Sequence, residues 1–278
     1  MNYRHFVFFL PIEPEETRWL YLRVGAYGSL QIPMRWWAPA DFFTQIAAEQ
    51  IVLGLFFGVL LALILYNFLL YVSIRDKSTL YYVWFVSSMC LLFAVLNGFG
   101  DQYFWPEVPY WGVTLLPLIL SGGIVSFLLF SANYLEISQS CSKSYRVLLL
   151  LAITACILPL LTPDWLSFGL TIKILTLISV LISILLVLIA IFLIWRDNSA
   201  PAWIYLLSFT VLLLGVLIYA LTVLGFVSSN FWTTYTIQIG MLLTVLLLSF
   251  GLANRMKRTD RQREQVHKEL QSAHAEVL

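Results

Sequence analysis

Charge is what this chain has least of. Only 11% of its 278 residues are Asp, Glu, Lys or Arg, against about 25% in soluble domains. So few polar groups cannot cover the surface of a soluble fold this large, and that class is excluded. Cysteine and histidine are scarce as well. Cys90 and Cys156 fall in apolar runs and Cys141 in a polar loop, which reads as buried free thiols rather than a disulfide framework or a metal site. His5, His267 and His274 all lie outside the apolar runs. There is no HExxH, no Gly-x-Ser-x-Gly, no nucleotide-binding loop and no pair of carboxylates inside an apolar run. The reading is therefore non-enzymatic, with no cofactor. A net charge of +1 gives nucleic acid no electrostatic purchase.

What the chain has is apolar length. It is 60% hydrophobic, with a mean hydropathy of +0.87. A membrane helix needs about 20 apolar residues, and charges and turn residues cut seven such runs. They are 51–72, 79–96, 111–134, 147–161, 168–195, 202–224 and 232–253. The last two come from one uncharged stretch, split at the turn-like 225–230. These runs are apolar on every face, so they are helices; barrel strands would alternate. The expected fold is an all-α membrane protein, a seven-transmembrane helix bundle.

Orientation follows from Lys and Arg. With the N-terminus outside and the C-terminus inside, the inner segments hold Arg75, Lys77, Lys143, Arg146, Arg196, Arg255, Lys257, Arg258, Arg261, Arg263 and Lys268. The outer loops 97–110, 162–167 and 225–231 hold no Lys or Arg, but contain Asp101, Glu107 and Asp164. Tyr103, Phe104, Trp105, Tyr110 and Trp111 crowd the first outer loop. They fit an interfacial aromatic belt, or else a ligand-binding cluster.

The two ends differ from the middle. Residues 1–12 make a poor signal peptide, with a short apolar run and no clean cleavage site. Stretches 6–12, 18–24 and 30–36 alternate and favour β structure, giving three short strands within 1–44. Three strands are a marginal independent fold, so this segment reads as the end of a larger β domain. At the other end, Leu252, Met256, Thr259, Arg263, Val266, Leu270, Ala273 and Val277 follow a 4–3 spacing. That is a heptad seam, imperfect at Thr259 and Arg263. Neither Gly nor Pro follows Leu252, so one helix is expected to run from the membrane into the cytosol, a signalling helix over 255–278. A solvated amphipathic tail is the alternative.

Ionisable groups inside spans are costly, and these spans have almost none. Lys173 either snorkels to the outer interface or binds an anionic ligand. Trp105 and Tyr103 are the other ligand candidates. Asn67, Asn133 and Gln238 read as amides that bond between helices. Gly54, Gly58 and Ala62 form a small-residue stripe, read as close packing inside the bundle with dimerisation as the alternative.

The stretch 51–85, IVLGLFFGVLLALILYNFLLYVSIRDKSTLYYVWF, closely resembles the first helical hairpin of the bacterial seven-transmembrane receptors with diverse intracellular signalling modules. Gly54, Gly58, the Tyr66-Asn67 pair and Arg-Asp-Lys-Ser at 75–78 before Leu80-Tyr81-Tyr82 carry the resemblance. Upstream, 21–24 and 28–33 look like the last strands of the extracellular jelly-roll sensor. The resemblance implies three parts: a remnant of a periplasmic β sensor (1–44), a seven-transmembrane module (45–254) and a cytoplasmic coiled-coil helix (255–278). It implies an inner-membrane receptor that relays a periplasmic or membrane stimulus. Its implied outputs are of histidine kinase, diguanylate cyclase or phosphatase type. His267 does not match a phosphoacceptor context. Partners are then membrane lipid and a second copy of the chain, pairing as a homodimer through the seam. A small-solute transporter or channel is the runner-up; the missing intramembrane acids and repeats stand against it. A scaffold that only anchors partners is a third reading.

Overall fold

The computed structural model describes residues 36–104, 110–137, 142–161, 167–228 and 230–277, together with positions 7, 8, 10, 15–17, 19–24 and 34. Among the described residues seven helices are long and apolar enough to cross a membrane, the fourth of them together with the 3₁₀ turn that follows it. They are α1 (Pro39–Ile74), α2 (Lys77–Leu96), α3 (Tyr110–Tyr134), α4 (Ser142–Ile157), α5 (Phe168–Asp197), α6 (Ala200–Val223) and α7 (Thr236–Val277). Short pieces extend some of them: a π-helical turn at Gly100–Phe104, a 3₁₀ turn at Leu158–Leu161 and one helical turn at Phe231–Thr234.

The sharpest corner follows from three residues. Arg75 takes the left-handed conformation (φ 59°) and its amide closes on the Tyr71 carbonyl at 2.7 Å, which ends α1. Asp76 then caps α2, its carboxylate accepting from the Thr79 amide at 3.1 Å and the Thr79 hydroxyl at 3.2 Å. The result is a tight helical hairpin. Asn198 (φ 44°) ends α5 in the same way, and Pro201 in the first turn of the next helix suits α6.

Neighbours in sequence pack as neighbours in space, and α7 closes the bundle by packing on α6 and α1. Half of the α3 window is buried against 17% for α6, so α3 is the centre and α6 a flank. One hydrophobic core runs through all seven helices. The outward faces are bare Leu, Ile, Val and Phe, as suits a lipid-facing exterior.

Two helices outrun the bilayer. α1 has 36 residues, about 54 Å at 1.5 Å per residue, where the hydrocarbon core is about 30 Å thick. It starts at Pro39, well before the apolar run at 51 and inside the segment assigned to β structure. Pro39 at the first helical position and Asp41 in the first turn explain that earlier start. α7 has 42 residues, about 63 Å, and is continuous across the membrane exit, as its lack of breakers after Leu252 predicts. The expected strands are not seen: among the described residues none is in a strand, 19–24 included, while most of 6–12 and 30–36 lies outside the described residues.

Candidate functional site at the exit of the last helix

The chemistry concentrates on one stretch of α7, residues 245–256. At its deepest point the Tyr82 hydroxyl of α2 donates to the Val245 carbonyl at 2.8 Å. One turn on, Asn67 of α1 meets Ser249. The Asn67 amide nitrogen donates to Ser249 Oγ at 3.2 Å and to its own helix at Leu63 O at 2.9 Å. Ser249 Oγ in turn faces Asn67 Oδ1 at 3.4 Å. Both side chains are buried, so each satisfies the other where water cannot.

Gly251 is where a backbone must pass close. A Cβ there would collide with the Tyr134 hydroxyl of α3 and lie 2.8 Å from Ile204 Cγ2 of α6. Glycine removes that side chain and lets three helices converge. On the α6 side the same device recurs higher up. Gly215 leaves no room for a Cβ against the Thr236 carbonyl (2.9 Å), and Thr244 Oγ1 donates to the Ser208 carbonyl at 3.0 Å.

The last turn before the exit carries Arg255. Its Nη1 donates to Ser78 Oγ of α2 at 3.0 Å and to the Asn133 carbonyl of α3 at 3.0 Å. Its Nη2 pairs with Glu136 Oε1 at 2.7 Å. The guanidinium also lies 6.0 Å from the Tyr134 ring centroid, within cation–π reach. One planar cation thus ties α7 to the start of α2 and the end of α3. A cation suits the end of α3, where helix carbonyls run out of partners.

Beneath this grip lies a closed circuit of rings. Tyr134, Phe130, Phe85, Phe127, Phe209 and Tyr205 touch in turn, with centroids 5.2–6.4 Å apart, and Tyr205 returns to Tyr134. Ser131 and Tyr205 are hydrogen-bonded at 3.0 Å. These rings lock α2, α3 and α6 into one floor.

The residues singled out from sequence scatter. Asn67 makes its interhelical bond. Asn133 does not: its side-chain amide donates back to Leu129 O of its own helix at 3.1 Å, and its backbone carbonyl takes the interhelical contact instead. Gln238 is half-buried on α7 and makes no side-chain hydrogen bond among the described residues. Gly54, Gly58 and Ala62 are exposed, and nothing lies within 4 Å of a Cβ built on either glycine. Packing inside the bundle is therefore corrected: this stripe faces outward, because Leu53, Phe56 and Leu60 take the inner face of α1. Lys173 is exposed on α5. Tyr103 is exposed and stacks on Phe99 at 6.0 Å; Trp105 lies outside the described residues. Of the heptad seam, Leu252 is 1% exposed and Met256 packs against the core, so both belong to the bundle. The side chains of Thr259, Arg263, Val266, Leu270, Ala273 and Val277 lie outside the described residues.

Arg255, Glu136, Ser78 and Gly251 were not singled out as a site. Arg255 counted only as one more basic residue after the last span. The one hint is a Glu and an Arg each at a span end, and nothing local links positions 119 residues apart.

A family described as 7TM diverse intracellular signalling matches residues 49–255. A second, described as 7TMR-DISM extracellular 2, matches residues 1–38. No curated protein and no solved structure matches the chain.

Proposed function

The chain belongs to the family of seven-transmembrane receptors with diverse intracellular signalling, and on that premise we propose that it relays a stimulus through α7. It is a multi-pass membrane receptor module of that family. In our reading the N-terminal segment faces the periplasm, the basic end of the bundle faces the cytoplasm, and the membrane is the bacterial inner membrane. A stimulus on the periplasmic side or at membrane depth shifts the bundle between two packings. α7 carries the shift inward, without catalysis by this chain. The ligand must favour one packing, since only differential affinity moves an equilibrium.

The observation that carries this reading is the unbroken helix Thr236–Val277. Its first half is held by α1, α2, α3 and α6, and its second half leaves the bundle with no break in the backbone. The output is a cytoplasmic domain of histidine kinase or diguanylate cyclase type that takes up the motion of the 257–277 rod. The rod pairs with that of a second copy through Val266, Leu270, Ala273 and Val277.

The test uses a diguanylate cyclase fused after Leu278. Asn67→Leu in the bundle should change its product formation. The same substitution should have no effect once Lys257, Arg258 and Thr259 are all glycine, because exchanging these three residues for glycine costs a helix about 2 kcal/mol. An equal response with and without the glycines overturns the relay.

A further inference from the structure

We propose that Arg255 is a positioning residue: its grip on α2 and α3 sets the rotational position in which α7 leaves the bundle, and Glu136 is the arm of that grip that lets go. The proposal rests on the relay reading and names the place where the moving helix is held.

Three observations converge on it. The first is the fork. Nη1 reaches Ser78 and the Asn133 carbonyl while Nη2 reaches Glu136. Only a planar guanidinium engages two helices at once like this; a lysine ammonium keeps the charge but not the geometry. The second is the floor. The aromatic circuit and the Gly251 close approach leave α7 no way to move inward against α3 and α6. Rotation or tilt remains open to it, and either pulls Arg255 off its partners. The third is the contrast among those partners. Ser78 is buried and the Asn133 carbonyl belongs to the last turn of α3. Glu136 lies just past that helix in the left-handed conformation (φ 52°), with its side chain 55% exposed. Of these three partners it is the one that water can take over without opening the core.

The position of the grip magnifies its effect. The rod beyond it, residues 257–277 of α7, is about 31 Å long at 1.5 Å per residue. A tilt of about 10° at Arg255 therefore moves the rod's tip by roughly 5 Å.

The experiment reads the helix itself and needs no ligand. The full chain, with Cys90, Cys141 and Cys156 replaced by alanine, carries spin labels at Arg146 and at Gln265 on the rod, both exposed and outside the grip. It is reconstituted in phospholipid nanodiscs and the inter-label distance distribution is measured by pulsed electron resonance. One dominant distance is expected with Arg255 present. Arg255→Met should raise a second population roughly tenfold, as loss of a charge-assisted hydrogen bond implies. Arg255→Lys should fall between the two, and Glu136→Gln should shift the distribution the same way by less. A distribution unchanged in Arg255→Met, or equal in Arg255→Met and Arg255→Lys, overturns the proposal. If Arg255→Met does not assemble, Arg255→Lys is read alone, and a distribution like that with Arg255 present overturns it. A wild-type distribution in Glu136→Gln overturns the role of the arm. None of these outcomes touches the glycine test, so the relay and the grip can fail separately.

Discussion

Two of the polar attachments that hold α7 lie less than two turns apart and are built from different materials. Asn67 and Ser249 are both neutral and both buried, and they bind one helix to one helix. Arg255 is charged and 23% exposed, and it binds one helix to two. An amide–hydroxyl pair in a bilayer contributes little net energy, because in the separated state each group finds other partners. A guanidinium with three partners is stronger and more directional. The deep pair thus fixes which face of α1 meets α7. The exit grip fixes the angle at which α7 departs.

The largest expected effect removes the basis of the comparison altogether. Gly251→Leu forces a side chain against Tyr134 and Ile204, pushes α7 off its floor and strains both attachments. It should destabilise the bundle by about 3 kcal/mol, read by reversible unfolding in mixed micelles. Arg255→Met tests the charged side and should cost about 2 kcal/mol in the same assay. A loss as small as that of the neutral pair would erase the distinction. Ser249→Ala tests the neutral side, with an expected loss near 0.6 kcal/mol. A double-mutant cycle with Asn67→Ala should assign that loss to the pair. Salt sharpens the contrast further. High ionic strength screens the half-exposed Arg255–Glu136 arm but not the buried Asn67–Ser249 pair. So the cost of Glu136→Gln should shrink with salt while that of Ser249→Ala stays constant. Smallest of all is Gly58→Ala on the open face of α1, expected within about 0.5 kcal/mol of zero. It makes a control for the Gly251 result.

The helices were legible because the bilayer imposes a length and forbids charge. That constraint is local, and each run declares itself without its neighbours. The continuity of α7 was legible for the same kind of reason, since a helix without breakers has nothing to stop it. The start of α1 was not, because residues 39–50 mix Asp41, Gln45 and Glu49 with apolar residues and belong to no apolar run. The side-chain site was harder still. Asn67 stood out as an amide in an apolar stretch. The direction Gly54 and Gly58 face did not, because a stripe of small residues looks the same on either side of a helix. The contacts of Arg255 depend on two segments brought together only by the closed bundle. The partners lie at helix ends, where charges are expected anyway.

The unbroken backbone of α7 also imposes a phase. Each residue inserted between Lys257 and an attached domain turns that domain by about 100° relative to the membrane, and seven bring it back to within roughly 20°. Output should therefore oscillate with linker length, strong at seven-residue steps and weak between them, as a screw thread accepts its nut only at the right angle.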